Sequence, residues 1–271
     1  MIFHYLKIAF RNLCKHKTQN IISIIGLAVG LLCFCVCIYC SRFVESTDHC
    51  FANHDRIAEL NLYDGKADRY FSGSPVPLAE ELRTWSLGET EAISSVTYPR
   101  ERPYYVELSP EKTLPYELET IEIDTCYNKI FTQEMVAGHW KMASQSLNSV
   151  ILSQSMAIKI FGNAESAIGK HMTLMRRLNT SPESTPKTGG IVYTIQAVMK
   201  DIPLNNSLDF MQNIDMLTVN DSEGLLQSPK RHNMTGANTY VLLSPQTTCT
   251  DLEKQFFQRD YTYTLYGEAY T

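Results

Sequence analysis

The sequence lacks the short motifs that mark common catalytic and nucleotide-binding sites. It contains no H-E-x-x-H, G-x-S-x-G or G-x-G-x-x-G segment, the patterns of zinc proteases, serine hydrolases and dinucleotide-binding folds. The segment GNAESAIGK at 162–170 looks superficially like a phosphate loop, but six residues separate its glycines instead of four. His171 stands where such a loop has its magnesium-binding Ser or Thr. We therefore predict that this chain is not an enzyme and itself binds no ATP or other cofactor.

Potential metal ligands are also sparse. His49, Cys50 and His54, with Asp48 and Asp55, form one cluster of suitable side chains. A zinc site needs four well-placed ligands, which usually come from two separated pairs. We therefore interpret this cluster as a polar linker and predict no metal site.

A second polar group surrounds residue 100. Arg100, Arg102, Tyr104 and Tyr105 lie close together in sequence and could line a binding edge. A strand with one solvated face carries such residues without any ligand, however. We interpret the segment as a solvated loop and strand.

Acidic residues outnumber basic ones beyond residue 40. The first 40 residues carry a net charge of +4 and the whole chain −5, so the remainder carries −9. An acidic surface has no electrostatic attraction for the phosphates of nucleic acids or for anionic lipids. We therefore exclude nucleic acid as a partner.

The sequence has one long apolar run, at residues 21–40. Its twenty residues include no charge. At about 1.5 Å per residue they form a helix of about 30 Å, the thickness of the hydrocarbon core of a bilayer. We predict one membrane-spanning helix there. No second apolar run of 18 residues follows, so the chain is expected to cross the membrane once.

The charges beside this run predict its orientation. Lys7, Arg11, Lys15 and Lys17 precede it, and residues 1–20 contain no acid. Because Lys and Arg are retained on the cytoplasmic side, the N-terminus is expected inside and residues 41–271 outside. A cleaved signal peptide is the alternative, but its apolar region is shorter, at about 7 to 15 residues, and ends in a small-x-small site.

Two further patterns suggest contacts at and within the membrane. Residues 1–20 place apolar side chains on one helical face, typical of a helix lying on the cytoplasmic membrane surface, although a merely basic flank is the alternative. Gly26 and Gly30 form a G-x-x-x-G pattern, which allows another membrane helix to approach closely. We predict that these two glycines pack against a partner helix.

The eight cysteines do not form a disulfide framework that can be recognised from sequence. Only three lie beyond the predicted span, namely Cys50, Cys126 and Cys249. An odd and widely spaced set is weak evidence for a bridge, although one pair could form in an oxidising compartment. Which of them pair, if any, stays open.

The remaining sequence predicts an α+β fold, a mixed α/β extracytoplasmic domain at 55–271 that follows a linker at 41–54. Short apolar strands alternate with helices. The clearest unit is a strand at 150–152 and a helix capped by Ser153 and stopped by Gly162, followed by two strands at 170–176 and 191–198. The segment that joins those strands, 178–190, predicts a mobile loop. Thr250 and Glu253 predict a capping box for a last helix.

Several segments resemble the MacB/FtsX-like ABC transporter permeases, especially those of Bacteroidetes type. Members of that family begin with a basic Y-x-K-x-A-x-R-N-L segment before an I-G-L-A-x-G membrane helix. The matching segments here occur in the expected order: YLKIAFRNLCKHKTQNIISIIGLAVGL, DRIAELN, VILSQSMAIKIFGNAESAIGKHM, YTIQAVMKDIPLNNSLDF and TYVLLSP.

The resemblance implies a fold, a location and partners. The ectodomain would be the family's two-lobed periplasmic core domain, and the chain would lie in the bacterial inner membrane. A cytoplasmic ABC ATPase subunit would bind ATP, and a second permease copy would complete a dimer. ATP-driven closure would then move the extracytoplasmic domains, for export or for action on a periplasmic or outer-membrane partner.

The sequence also departs from the family. Family permeases have at least four spans and a later loop that docks on the ATPase, whereas this chain has one predicted span. The expectation is therefore the N-terminal portion of a permease subunit. The alternative is a single-span, membrane-anchored binding or signalling module without transport activity. A membrane-tethered hydrolase has no motif to support it, and the sequence does not predict a substrate.

Overall fold

The computed structural model describes residues 4–5, 11, 15, 17–85, 87–109, 112–174, 190–208, 213–222, 224–227, 235–259, 263–265 and 268–270. These form two compact units, which divide between Thr47 and Asp48. Much of the predicted surface helix at 1–20, and the predicted loop at 178–190 except for its last residue, lie outside the described residues.

The first unit contains one long helix, α1 (Lys17–Glu45), which includes the predicted span. It has 29 residues and no buried one, and among the described residues it is the one helix long and apolar enough to cross a membrane. At about 1.5 Å per residue it is longer than the hydrocarbon core, so its polar ends reach the interfacial regions. The helix continues to Glu45, and the first residues of the predicted linker are therefore helical.

The second unit, the ectodomain, is rich in strands. Its helices are α2 (Leu78–Thr84), α3 (Tyr127–Phe131), α4 (Trp140–Gln145), α5 (Gln154–Phe161) and α6 (Cys249–Gln258). Its strands are β1 (Ile57–Leu60), β2 (Leu62–Asp64), β3 (Arg69–Phe71), β4 (Ser74–Pro75), β5 (Thr90–Thr97), β6 (Arg100–Ser109), β7 (Lys112–Ile123), β8 (Met135–Gly138), β9 (Ser149–Ser153), β10 (His171–Leu174), β11 (Ile191–Met199), β12 (Met216–Val219), β13 (Thr235–Leu243), β14 (Tyr263–Leu265) and β15 (Glu268–Tyr270).

Eleven strands form one sheet, which has two parts. Its order is β1-β13-β5-β7-β12-β9-β11-β10-β6, with β4 beside β13 and β8 beside β11. Because β6 also pairs with β7, the six strands β6, β7, β9, β10, β11 and β12 close on themselves, and we name them the closed sheet. We name β1, β4, β5 and β13 the open sheet. The two parts join where β5 pairs with β7 through the single pair Val96–Ile123, which we call the split.

Side chains fill the interior of the closed sheet. All six of its strands contribute buried apolar residues to one cluster, which α5 covers. Examples are Tyr104, Leu118, Leu152 and Tyr193. A separate cluster spans both sheets on the face that α3 covers, and it includes Phe51, Val96, Ile123, Phe131 and Tyr240. The closed sheet is therefore a packed core, with no open channel along the part that the structure describes.

The strand–helix–hairpin unit agrees with its prediction over the described residues, which leave out residues 175–176 of the predicted first hairpin strand. The Ser153 hydroxyl accepts a hydrogen bond from the Met156 N–H at 3.4 Å, and Gly162 ends α5 with a φ of +87°. Strands β10 and β11 pair antiparallel, with His171 opposite Thr194. The last helix, by contrast, is capped two residues earlier than predicted. There the Thr248 N–H donates to the Asp251 carboxylate, and the Asp251 N–H donates to the Thr248 hydroxyl. These two hydrogen bonds form a capping box, which satisfies N–H groups at the start of α6 that have no partner within the helix.

Candidate functional site

The predicted packing face of α1 is open. A Cβ atom added at Gly26 or Gly30 would meet no atom within 4 Å, and the neighbouring Leu27 is 70 % exposed. Close approach of a second helix needs such an unobstructed surface. The pairing itself stays a prediction.

The basic residues that predict the orientation precede α1 or begin it. Lys17 is its first residue, and Arg11 and Lys15 are helical and exposed. Lys7 lies outside the described residues. A cytoplasmic N-terminus stays a prediction.

Residues 48–54, predicted as part of a linker, belong to the ectodomain in the structure. The Asp48 N–H donates to the Asn205 carbonyl at 3.0 Å, and an Asp48 carboxylate oxygen accepts from the Ser207 N–H at 2.8 Å. Phe51 is buried in the core that spans both sheets. The segment is anchored because a buried aromatic residue and two hydrogen bonds hold it.

The side chains of the His-Cys cluster in this segment are not gathered as a set of three metal ligands. The rings of His49 and His54 lie 4.3 Å apart, and His54 Nε2 lies 3.2 Å from Asp55. Although Cys50 as a residue is exposed, partial desolvation of its thiol, and then the Asp48 carboxylate, raise the pKa of that thiol to about 11, which disfavours the thiolate that a metal would bind. Among the described residues no three His, Cys, Asp or Glu side chains gather as metal ligands.

The cysteines beyond α1 do not pair with one another. Cys50, Cys126 and Cys249 are all free thiols in the structure. Cys50 and Cys249 are exposed, and Cys126 is partly buried.

A polar cavity of about 240 Å³ lies beside the split. Glu80 and Arg83 of α2 line one side, and Ser95 of β5 lies beside them. The parallel strands β7 and β12 end at the cavity, where the residues at 122–125, 218 and 220–221 complete much of its wall.

Asp124 holds the two sheets together at this cavity. It follows the last residue of β7 and forms an ion pair with Arg83 of α2. It also accepts hydrogen bonds from the Ser94 hydroxyl at 2.7 Å and the Ser95 N–H at 3.0 Å, both in β5. The carboxylate therefore links the end of the closed sheet to the open sheet and α2.

Glu122 is a buried carboxylate with several partners. It accepts from Arg102 Nη2 at 2.7 Å and from the Leu225 N–H at 2.5 Å. Gly224 permits this approach, since a Cβ there would lie 2.6 Å from the Glu122 carboxylate. A buried charge needs such pairing, because desolvation otherwise costs more than the fold can supply.

The segment around residue 100 differs from the solvated strand expected from sequence. Tyr104 is fully buried, and burial raises its pKa to about 12. Arg102 lies mostly inside, with Glu122 at 2.7 Å and Asp221 at 3.8 Å. Alternation along β6 was the signal that sequence reasoning missed, since Arg102, Tyr104 and Val106 share one face of the strand.

Two solved structures share this fold. One is a domain of a provisionally assigned permease protein from Porphyromonas gingivalis, with a TM-score of 0.56 and 23% identity over 78% of this chain and 85% of that one. The other is the periplasmic region of MacB from Actinobacillus actinomycetemcomitans, with a TM-score of 0.51 and 14% identity over 80% of this chain and 86% of that one. No family model matches the chain, and no curated protein matches it in sequence.

This likeness establishes the fold. The mixed α/β ectodomain after one apolar helix has the architecture of MacB-like periplasmic domains, so the fold predicted from the ordered segments is confirmed. One of the similar structures is a domain of a permease protein, and the other is a periplasmic region of MacB. A shared fold does not by itself assign a function, which must be argued from the molecule.

Proposed function

We propose that this chain is the N-terminal portion of a permease subunit of a MacB/FtsX-type ABC transporter. The observation that carries the proposal is the order of its parts, in which a basic flank and one apolar helix directly precede a MacB-like periplasmic-domain fold. On this proposal α1 anchors the chain in the bacterial inner membrane, with a cytoplasmic N-terminus and a periplasmic ectodomain.

The packed interior of the closed sheet favours a mechanical role for the ectodomain. Buried side chains from all six strands fill that interior, so a substrate has no path through the strands there. A rigid body of this kind can transmit motion from membrane helices to a periplasmic or outer-membrane partner. On this proposal a cytoplasmic ABC ATPase hydrolyses ATP and drives that motion.

Partners within the membrane are part of the same proposal. The unobstructed surface at Gly26 and Gly30 is suited to contact with another membrane helix, including that of a second permease copy. ATP would bind the partner ATPase, and this chain would supply no catalytic group.

A single-span binding or signalling module is the second candidate. It is favoured by the one helix able to cross a membrane among the described residues. Such a module would act through its ectodomain without any ATPase.

Purification of the native complex separates the two candidates. The chain would carry an N-terminal tag in its native host and be isolated in mild detergent, and its partners would be identified by mass spectrometry. We expect an ABC ATPase and a second, untagged permease copy. The matched control replaces residues 21–40 with an unrelated apolar span and should lose both partners. Recovery of the folded chain without any ABC ATPase would overturn the transporter proposal and support the single-span module.

A further inference from the structure

One exposed turn of the ectodomain is bound to the residue at which that unit begins. The Asp48 N–H donates to the Asn205 carbonyl at 3.0 Å, and an Asp48 carboxylate oxygen accepts from the Ser207 N–H at 2.8 Å. Asp48 is the first residue of the ectodomain. Residues 203–206, which we name the apolar turn, are therefore held beside the point where the chain enters the ectodomain.

The tip of the apolar turn consists of Pro203 and Leu204. Both residues are exposed, Leu204 by 40 %. The next side chain but one, that of Asn206, is fully buried, and its Nδ2 donates to the Pro203 carbonyl at 2.6 Å. Ile202 and Leu208, on either side of the turn, belong to the core that spans both sheets. The turn is therefore fixed at both ends, and it presents two apolar residues to its surroundings.

The charged residues beside the turn are paired within the ectodomain. Lys200 is the one basic residue at 200–208, and its Nζ lies 2.9 Å from a Glu134 carboxylate oxygen. The Asp201 carboxylate accepts a hydrogen bond from the Ser155 N–H at 3.0 Å. A contact made by the tip would therefore depend on its apolar side chains rather than on attraction to anionic groups.

The chain between α1 and the apolar turn is short. α1 ends at Glu45, so only Ser46 and Thr47 precede Asp48, and three residues span at most about 11 Å. Residues 41–45 extend the helix by about 8 Å beyond the apolar run, which is close to the thickness of the polar interface on one side of a bilayer. The turn bound to Asp48 is therefore within reach of that interface.

We propose that Pro203 and Leu204 insert into the interfacial region of the bilayer that α1 spans, on the side of the ectodomain. The occupant of this surface is the lipid itself, which removes two exposed apolar side chains from water. The inference rests on the proposed anchoring of α1, and it adds a second contact with the lipid that the ectodomain makes by itself.

Fluorescence quenching by brominated lipid tests the proposal on the full chain. The chain is reconstituted in nanodiscs of phosphatidylcholine, with or without bromine atoms high on the acyl chains, and its own two tryptophans give the baseline. Leu204→Trp and, separately, Pro203→Trp place a reporter on the apolar turn. Because an inserted side chain lies about 5–10 Å into the boundary between headgroups and acyl chains, brominated lipid should remove at least about half of the added emission.

Leu147→Trp is the matched control within the ectodomain. Leu147 is also an exposed leucine, at 70 %, and it precedes β9, whose five residues span about 16 Å. The other end of β9 leads to Ser155, which donates to Asp201 beside the apolar turn. Leu147 therefore lies at the far end of the closed sheet, and a tryptophan there should keep its emission in brominated lipid.

Phe34→Trp separates this inference from the proposed anchoring. Phe34 lies in α1 and is 65 % exposed, so a tryptophan there should be quenched if α1 spans the bilayer, whatever the turn does. Quenching at position 34, with no more on the turn than at position 147, would overturn the inference and leave the anchoring in place. Unquenched emission at position 34 would overturn the anchoring and the inference together. Quenching at position 34 and on the turn, but not at position 147, would support both.

Discussion

The helix α1 and the ectodomain place apolar side chains in opposite ways. No residue of α1 is buried, and leucines such as Leu31 are more than half exposed. In the ectodomain, Leu82, Phe131 and Ile151 are fully buried. Each unit suits a different surrounding, because exposed apolar surface is stable in lipid and unstable in water. The same residue type should therefore behave differently in the two units.

Phenylalanine offers the largest test of this difference. Phe131 packs against Phe51, Tyr127 and Tyr240 with ring centroids 4.8 to 5.0 Å apart. Phe131→Ala should lower the free energy of unfolding of the ectodomain by about 3 to 5 kcal/mol, because it leaves a cavity in the core. The measurement is urea unfolding of the full chain in detergent, followed by Trp fluorescence. Phe34→Ala in α1 is the matched control and should change the free energy of unfolding of the ectodomain by less than about 0.5 kcal/mol.

A charged side chain in place of an exposed leucine should be harmful in α1 and tolerated in the ectodomain. Leu31 lies at the middle of α1 and is 58 % exposed, and Leu147 of the ectodomain is 70 % exposed. Leu31→Arg should disfavour membrane insertion by about 3 kcal/mol, since an arginine at the centre of a span loses its hydration. Leu147→Arg should have little effect. Extraction of membranes with carbonate measures the inserted fraction, and an unchanged fraction for Leu31→Arg would contradict the assignment of α1 as a span.

Within the ectodomain, the Arg83–Asp124 ion pair at the split should contribute more to the free energy of unfolding than a solvent-exposed ion pair. Asp124→Asn removes the charge that opposes Arg83 and weakens the link to β5. We expect the free energy of unfolding to fall by about 2 kcal/mol, as for other hydrogen bonds to a charged group. Glu134→Gln breaks a pair with Lys200 in which both side chains are more than 60 % exposed, and its cost should be a few tenths of a kcal/mol at most, about the value of a surface pair. Equal losses in urea unfolding would show that Asp124 does not link the two sheets.

The smallest effect is expected at the glycines of α1, and it concerns association. The double variant Gly26→Ile and Gly30→Ile blocks close approach and should weaken self-association by about 1 kcal/mol. Ala28→Ile is the control, because at 3.6 residues per turn Ala28 lies on the opposite side of the helix. Energy transfer between labelled copies in nanodiscs measures the association. If Ala28→Ile were the more disruptive change, the predicted packing face would be wrong.

Local patterns were predictable where one segment contains all the information. The helix α5 follows from the Ser153 cap, an apolar face and Gly162, and the adjacent hairpin follows from two apolar strands. A strand at 120–123 is predicted from sequence, but residues 112–119 of β7 were not predicted as a strand, because the polar residues and Pro115 in that part do not alternate clearly. That part forms a strand only because β6 pairs with it along nearly its whole length. Pairing partners from elsewhere in the chain decide such segments.

The polar cavity could not be predicted for the same reason. Glu122 and Leu225 are 103 residues apart, yet they form one hydrogen bond at its edge. Their sequence neighbourhoods contain no recognised motif. From the sequence, Arg102 was interpreted as a solvated residue. Its partner Glu122 lies on another strand, and the two side chains meet only when the sheet closes.

The sequence alone determined that this chain has one segment suited to lipid and a mixed α/β domain after it. An uncharged run of twenty residues and local apolar periodicity depend only on neighbouring residues, so they can be recognised without a structure. Tertiary structure alone decided that six strands close into a packed body and that two sheets meet at a single pair. It also decided that distant carboxylates gather beside that pair, because pairing between distant segments and burial on folding set these features.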